Sequence, residues 1–403
     1  MSDGGEMTGC RPSAAAAAAA ATPLDDDDIL SQILLRLPPR PSSLPRAAAV
    51  CRRWRRLVSA PHFRRSFHAH HRKPPLLGLF TEESKGEIGF TPALDPPDRI
   101  PAARFSLRLD AGSEFLGCRH GRVLFLNRDR LQFLVWDPVT GDQLLVPFPP
   151  VFSGSERYYF SGAVICADGD QDHMHGDCHH SPFQVAMIGR GKEGMLACVY
   201  SSETDSWGNL ITMLWPAEAM TVSTDIPSTL VGNSLCWLLI GGNVGILEFD
   251  LDRQILAIID PPEDAIDICA FSIGNSQVMI TPTGGDGLGL LILSGFTAEL
   301  WKRKVNSDGA VRWLLTNTIE LCSLLQLVPW VDPPTLLGIA EDDNAMLVLT
   351  HDDVVFMVHL ESPRFDKLPE KMSYCFCQAF TSFYTAGMVT GAEHDGLEVL
   401  HNA

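Results

Sequence analysis

The hydrophobic positions of this chain change rhythm once. Upstream they keep a helical spacing. Ile29, Ile33 and Leu37 recur every fourth residue, with Leu30 and Leu34 on the adjoining row, so one face of a helix is apolar. Asp25 to Asp28 stand at its start, where carboxylates cap free N–H groups and complement the helix dipole, and Pro38 and Pro39 stop it. Ser42 or Ser43 is placed to cap the next helical segment, with Pro45 tolerated in its first turn. From Val50 onward, a rotation of about 100° per residue puts Val50, Cys51, Trp54, Leu57 and Val58 on one arc, predicted to be the buried side. Arg52, Arg53, Arg55 and Arg56 take the rest of the circumference. Pro61 ends the helix, and Phe63 and Phe67 supply a last apolar pair.

After the polar stretch HAHHRKPP, residues 68–75, the rhythm shortens to period two and brief apolar runs. Strands are predicted at GRVLFL (Gly121 to Leu126), QFLVWD (Gln132 to Asp137), FQVAMI (Phe183 to Ile188), MLACVY (Met195 to Tyr200) and SLCWLLI (Ser234 to Ile240). Others follow at VGILEFD, LGLLILS, AMLVLT and DVVFMVHL. Clusters of Gly, Asn and Asp part them, and no long helical period competes. Several segments share one plan: an apolar strand, a polar turn at Asp137, Ser202, Asp250 or Leu360, then a second apolar or proline-closed piece. One wide gap leaves room for a further unit around AELWKRKVNSDGAVRWLL. Repeats of roughly fifty residues, each an antiparallel sheet, predict a β-propeller of about six blades. A two-sheet β-sandwich is the alternative.

Length and composition fit that division. At 403 residues, with 45% hydrophobic and 20% charged side chains, the chain is too long for one ordinary core. The expectation is an α+β multidomain protein: a disordered low-complexity leader (1–22), a small three-helix module (23–67), a linker (68–75) and a mostly β domain (76–403). Ala14 to Ala21 form an alanine run, but Asp3 and Glu6 sit where a secretory signal is basic, and no apolar run nears the ~18 residues that span a bilayer. No membrane partner is expected. The 11 cysteines follow no regular spacing and most sit in apolar runs, which fits reduced thiols in the cytoplasm or nucleus.

Charge separates the two parts further. Between Arg36 and Lys73 the chain holds eleven of its 31 basic residues and no Asp or Glu, within a whole whose net charge is −18. Such a helix raises nucleic acid first. The acidic remainder repels a phosphate backbone, and a base-reading helix needs Asn, Gln or a similar polar side chain where this one offers arginine and apolar groups. No nucleic-acid partner is expected. A module of about forty residues cannot bury Ile29, Leu30, Ile33, Leu34, Leu37, Val50, Trp54 and Leu57 all within itself, so the surplus predicts a protein partner.

LDDDDILSQILLRLPP, followed by AAAVCRRWRRLVSAPHF, resembles an F-box. That family's pattern is a leucine and acidic start, a run ending in Leu-Pro, and a Val-Cys-basic-x-Trp segment closed by Ser-x-Pro-x-Phe. The resemblance covers Pro23 to Phe67. Leu24-Asp25 stands where many members have Leu-Pro-Asp, and PRPSSLPRAAA is richer in proline and alanine than usual. The phrases WDPVTGD and YSSETDSW are also similar to the F-box-associated domain of plant F-box proteins. The resemblance implies a substrate-recognition subunit of a Skp-cullin-F-box ubiquitin ligase. Its module would dock a Skp-type adaptor and, through it, a cullin, while the β domain holds an unidentified target protein. By resemblance, Leu24, Ile29, Leu30, Ile33, Leu34, Leu37, Pro38, Val50, Cys51, Trp54 and Leu57 would divide between the module's core and the adaptor. Adaptors of this family are acidic, so Arg52, Arg53, Arg55 and Arg56 would steer association. The competing class is a non-degradative scaffold, or a propeller enzyme, carrying a vestigial F-box.

Enzyme signatures do not accompany this pattern. GRGKEG, Gly189 to Gly194, fits G-x-G-x-x-G after a strand, but a second strand follows where a phosphate site needs a helix N-terminus, so a hairpin turn is predicted. DGDQDHMHGDCHH, Asp168 to His180, gathers Asp, His and Cys, yet its spacing matches no standard zinc site and it lacks apolar anchors. It is expected to be a flexible polar loop without metal. G-x-S-x-G, H-E-x-x-H and Walker sequences are absent. No catalytic residue and no cofactor are predicted.

Overall fold

A computed structural model describes residues 26–384, apart from 84–86, 150–151, 153–158, 169–174, 191–193, 215–219, 224–225, 242–243, 263–275, 285–286, 306–310, 329 and 374–375. Leu24 lies outside the described residues. Among them, four helices come first: α1 (Asp27–Leu34), α2 (Ser43–Val50), α3 (Arg52–Ser59) and α4 (Pro61–His71). Three were expected. Pro61 does end α3, but it also occupies the first turn of α4, where its missing N–H costs nothing. Phe63 and Phe67 then lie one turn apart on α4, buried and stacked with ring centroids 6.3 Å apart. The helix runs on to His71, so half of the expected linker 68–75 is helical. Leu30, Leu34, Leu44, Ala47, Val58, Phe63 and Phe67 close the core of this module.

The remaining described strands form six sheets. Blade 1 has β1 (Leu76–Glu83), β2 (Glu87–Pro92) and β3 (Leu107–Arg108); blade 2 has β4 (Ser113–Arg119), β5 (Arg122–Asn127), β6 (Gln132–Trp136) and β7 (Gln143–Pro147). In blade 3, β8 (Tyr159–Cys166), β9 (Phe183–Arg190) and β10 (Gly194–Ser201) pair in order, and β11 (Ser206–Trp207) and β12 (Ile211–Leu214) both pair with β10. Blade 4 sets β13 (Met220–Val222) and β14 (Thr229–Val231) against β15 (Ser234–Gly241), followed by β16 (Gly245–Asp250) and β17 (Ile255–Ile259). Blade 5 is β18 (Ser276–Thr283), β19 (Gly287–Ser294), β20 (Thr297–Val305) and β21 (Val311–Glu320). Blade 6 is β22 (Thr335–Ala340), β23 (Ala345–Leu349), β24 (Val354–His359) and β25 (Phe365–Lys371). β26 (Cys377–Thr381) then returns to pair antiparallel with β1 and touches both β4 and β22, closing the ring.

Six apolar clusters hold this ring together, each between two neighbouring blades. In β5, Val123 and Phe125 pack toward blade 1 while Leu124 and Leu126 pack toward blade 3. A strand buried on both faces needs no polar side, which is why RVLFL reads as an unbroken apolar run. The fold is the six-bladed propeller, and the two-sheet alternative is excluded. The turns at Asp137, Ser202 and Leu360 each follow the third strand of a blade, Asp250 ends β16 of blade 4, and AELWKRKV lies in β20, the third strand of blade 5. Asp137 shows how such a turn is made: its Oδ1 accepts from the N–H of Val139 at 2.9 Å and of Thr140 at 3.2 Å, and Gly141 adopts φ 87°. GRGKEG joins the antiparallel strands β9 and β10, with Arg190 opposite Met195. Because α4 leads into β1 beside the end of β26, the helices sit on the face where first and second strands join.

Candidate functional site

The helical module is built from its caps inward. Asp26 caps α1, its carboxylate accepting from the N–H of Asp28 at 2.8 Å and of Ile29 at 3.3 Å. The two apolar rows of α1 then part. Leu30 and Leu34 are enclosed in the core, whereas Ile29 and Ile33 are 44% and 42% exposed. Leu37 is half-buried and Pro38 exposed. Ser42 stands at the start of α2 without using its hydroxyl as a cap; its backbone N–H instead donates to buried Asp98 at 3.0 Å.

The next boundary differs from the sequence expectation. The backbone is extended at Cys51, so α2 ends at Val50 and α3 starts at Arg52. The Cys51 sulfur caps α3, accepting from the Trp54 N–H at 3.5 Å, and Val50 is left 61% exposed at the corner. The single buried arc from Val50 to Val58 is therefore broken. Val58 is buried, Trp54 and Leu57 are half-buried against the core edge, and Val50 and Cys51 face outward. A break resets the angular count, so residues before it no longer share a face with those after it. The arginines divide as well. Arg53 pairs with Asp27 of α1 at 2.7 Å, and Arg55 donates to the Ala48 carbonyl at 3.4 Å, while Arg52 and Arg56 are exposed.

Helix α4 seats the module on the propeller. His68 is buried; its Nδ1 lies 2.9 Å from Asp177 Oδ2, and its ring stacks on Phe383 with centroids 4.3 Å apart at 10°. The Gly176 carbonyl accepts from the Phe383 N–H at 2.9 Å and from the Ser382 hydroxyl at 3.1 Å. A Cβ on Gly176, whose φ is +111°, would fall 2.8 Å from Pro74, so this crossing needs glycine. Lys73 pairs with Asp343, and Arg40 with Asp98 at 3.5 Å. Residues 175–180, expected to be a flexible loop, are thus a strap clamped between α4, the entry to β1 and the chain beyond β26. Arg122 holds it from below: buried, it donates to the carbonyls of Cys178 and Ser181 and lies 4.9 Å over the Phe183 ring. Burial by itself would raise the Asp177 carboxyl, but the hydrogen bond from His68 and the charges of His68, His179 and Arg64 prevail and hold it below the usual carboxylate range.

The strap also carries His179, whose Nδ1 is 2.7 Å from Asp137 Oδ2 and whose Nε2 is 3.4 Å from Ser382 Oγ. Asp, His and Ser in that order have the connectivity of a nucleophilic triad. Ser382 is 0% exposed, however, and its hydroxyl donates to Gly176, so no substrate meets it and the three residues act as a brace. Beside them, Cys166 at the end of β8 meets His175 and Cys178, with donor atoms all within 4.8 Å of one another. On the propeller axis, Arg119 at the end of β4 donates to both carboxylate oxygens of Glu341, at 3.1 and 2.8 Å, and to the Ser228 carbonyl at 2.7 Å. Asp342 accepts from Thr381, and its carboxyl is pushed up, first by burial and then by Glu341 and Asp343. The Arg119 bonds tie blades 2, 4 and 6 across the axial cavity, and the Asp342–Thr381 bond ties blade 6 to blade 1. Asp177 lies within the Asp168 to His180 segment, whereas His68, Arg119 and Glu341 carry no motif of their own.

A four-helix module on a six-bladed propeller defines a class of protein: the F-box protein, with an architecture typical of non-catalytic substrate-recognition adaptors. Residues 27–70 match the F-box-like family, whose members in general bind Skp-type adaptors. Residues 114–376 match the family described as F-box protein AT5G49610-like, beta-propeller; the chain belongs to that family and is a plant-type F-box protein. Solved structures similar to it include the Dos1 propeller, at 9% identity over 77% of this chain and 76% of that one with a TM-score of 0.36. Apo AztD from Citrobacter koseri is 9% identical over 75% of this chain and 89% of that one, with a TM-score of 0.38. TolB from Acinetobacter baumannii is 10% identical over 79% and 72%, again with a TM-score of 0.38. Likenesses at these scores carry no argument about function. No curated protein matches the sequence.

Proposed function

We propose that the chain is the substrate-recognition subunit of a Skp-cullin-F-box ubiquitin ligase, itself without catalysis, acting in the cytoplasm or nucleus. One observation carries this reading: the module's apolar side chains fall into two sets. Leu30, Leu34 and Val58 close its own core, while Ile29, Ile33 and Val50 remain exposed on helices of a family that binds Skp-type adaptors. Fully burying one such aliphatic side chain contributes about 1.5–3 kcal/mol, so three of them supply the apolar centre of a docking patch. Arg52 and Arg56 would present positive charge to an acidic adaptor, which sets rate and orientation more than affinity. The adaptor would bring the cullin.

The chain's contribution is then positional. The strap joins module and propeller, so a target held on the propeller is presented to the ligase at a fixed offset. The face away from the helices is the one proposed for the target. Tyr159 at the start of β8, Leu214 at the end of β12 and Trp330 ahead of β22 belong to it and are 63%, 84% and 84% exposed. Large exposed aromatic and aliphatic side chains are the kind that partner proteins bury. Affinity capture with the full chain tests both halves. Adaptor and cullin should co-purify with the wild type and be lost with Ile33→Glu. Combined Tyr159→Ala and Trp330→Ala should lose the target and keep the adaptor. Recovery of neither adaptor nor cullin by the wild type would contradict the proposal.

A further inference from the structure

The strap returns Cys178 to the end of β8, where Cys166 stands. The sulfurs of Cys166 and Cys178 and a ring nitrogen of His175 lie within 4.8 Å of one another, and Cys178 Sγ is 3.7 Å from His175 Nδ1. In a tetrahedral zinc site, Zn–S bonds of about 2.3 Å and Zn–N bonds of about 2.0 Å set sulfur and nitrogen roughly 3.5 Å apart. The pair already stands close to that separation.

Neighbouring groups orient these donors. Cys178 is fully buried, and its carbonyl accepts from Arg122, which fixes the backbone that carries the thiol. The Cys166 N–H donates to His120 Nδ1 at 3.0 Å, and the His120 ring lies parallel to that of His175, at 9° with centroids 3.7 Å apart. His120 therefore acts as a support for the His175 ring, the role outer groups play around metal ligands. Soft sulfur donors with one imidazole suit Zn2+, which has no redox chemistry and accepts tetrahedral geometry. His175 is exposed, so the fourth position faces solvent and is completed by water.

We propose that Cys166, His175 and Cys178 form a zinc site that pins the strap to blade 3 and, through Asp177 between two of its ligands, fixes the F-box on the propeller. Binding forms two Zn–S bonds and one Zn–N bond and releases the two thiol protons to solvent. The two thiolates then balance the charge of the ion.

The test uses the full chain, reduced, stripped with a chelator and titrated with Zn2+ and with Co2+ as a spectroscopic probe. One equivalent should bind, with Co2+ giving thiolate charge-transfer absorption and tetrahedral visible bands. Cys166→Ser and Cys178→Ser should each weaken zinc binding by at least about 100-fold, the upper loss seen even for outer-shell partners. His175→Ala sits at an exposed position, so it should weaken binding while far-ultraviolet circular dichroism stays unchanged. Cys198→Ser, a buried thiol between blades 2 and 3, should bind as the wild type does. Zinc should also slow hydrogen exchange in α4. Absence of binding at micromolar free zinc, or binding indifferent to His175→Ala and both serine variants, overturns the proposal. So does peptide mapping of the chain isolated without reductant that finds Cys166 joined to Cys178 and no metal taken up, which would assign the pair to a disulfide instead.

Discussion

His68 of α4 and Asp177 of the strap stand 2.9 Å apart at the seam between helices and propeller, and the same imidazole stacks on Phe383 at 4.3 Å. One ring thus joins three segments distant in sequence. The Asp177 carboxyl is held below its usual range, so its stabilising contribution is complete above the unfolded carboxyl pKa and is lost as pH falls through the lower folded value.

In the metal-free chain, hydrogen exchange in α4, corrected for intrinsic rates, is therefore expected to accelerate as pH drops below about 4. Asp177→Asn should remove that acid dependence, and His68→Ala should accelerate exchange at every pH. A wild-type pH profile in Asp177→Asn would assign the seam to other groups.

Closure of the ring rests on β26. Phe380 is 1% exposed, and its ring centroid is 5.0 Å from that of Phe80 and 5.5 Å from that of Phe105. Phe380→Ala should cost about 3–5 kcal/mol, the usual penalty for emptying an aromatic site in a packed core. Denaturant unfolding would show it as a lowered midpoint, and an unmoved midpoint would mean that β26 adds no stability to blade 1.

Legibility followed burial. Strands such as β5 and β19 pack on both faces, so RVLFL and LGLLILS stood out as runs, and the turn at Asp137 showed itself through its Asp and Gly. The two rows of α1 were visible, but which row would be left exposed depended on where α3 and α4 packed. The break at Cys51 had no signal, because VCRRW contains neither glycine nor proline and keeps helical periodicity through the kink. The strap was hidden for a different reason. Its composition is polar, and what orders it lies elsewhere: His68 in an apparent linker, Arg122 at the start of β5 and Cys166 at the end of β8. Cys166 lies just upstream of Asp168 to His180, so the spacing within that segment does not include it.

On the axis, Arg119 has only 9% of its side chain exposed, and Glu341 is its carboxylate partner. Glu341→Gln should destabilise the protein by about 3 kcal/mol, since a buried guanidinium loses its counter-charge. Arg119→Met combined with Glu341→Leu should cost less than the two single changes added together, because the pair acts as a unit. Additive losses in chemical denaturation would show that the two side chains are not coupled.

The central claim is that the outward half of the F-box docks an acidic Skp-type adaptor while the inward half only folds it. Leu34→Ala, at a position 1% exposed, should cost about 2–5 kcal/mol of stability and so weaken binding indirectly. Arg52→Glu with Arg56→Glu should slow association at low salt, with the difference fading as ionic strength rises. The most direct measurement is calorimetric titration of the full chain with a purified Skp-type adaptor, comparing the wild type with Ile33→Glu. The account predicts binding by the wild type and at least a tenfold loss in Ile33→Glu, about 1.4 kcal/mol or more, with stability changed by no more than about 0.5 kcal/mol. No binding by the wild type, or equal affinity in Ile33→Glu, would contradict it.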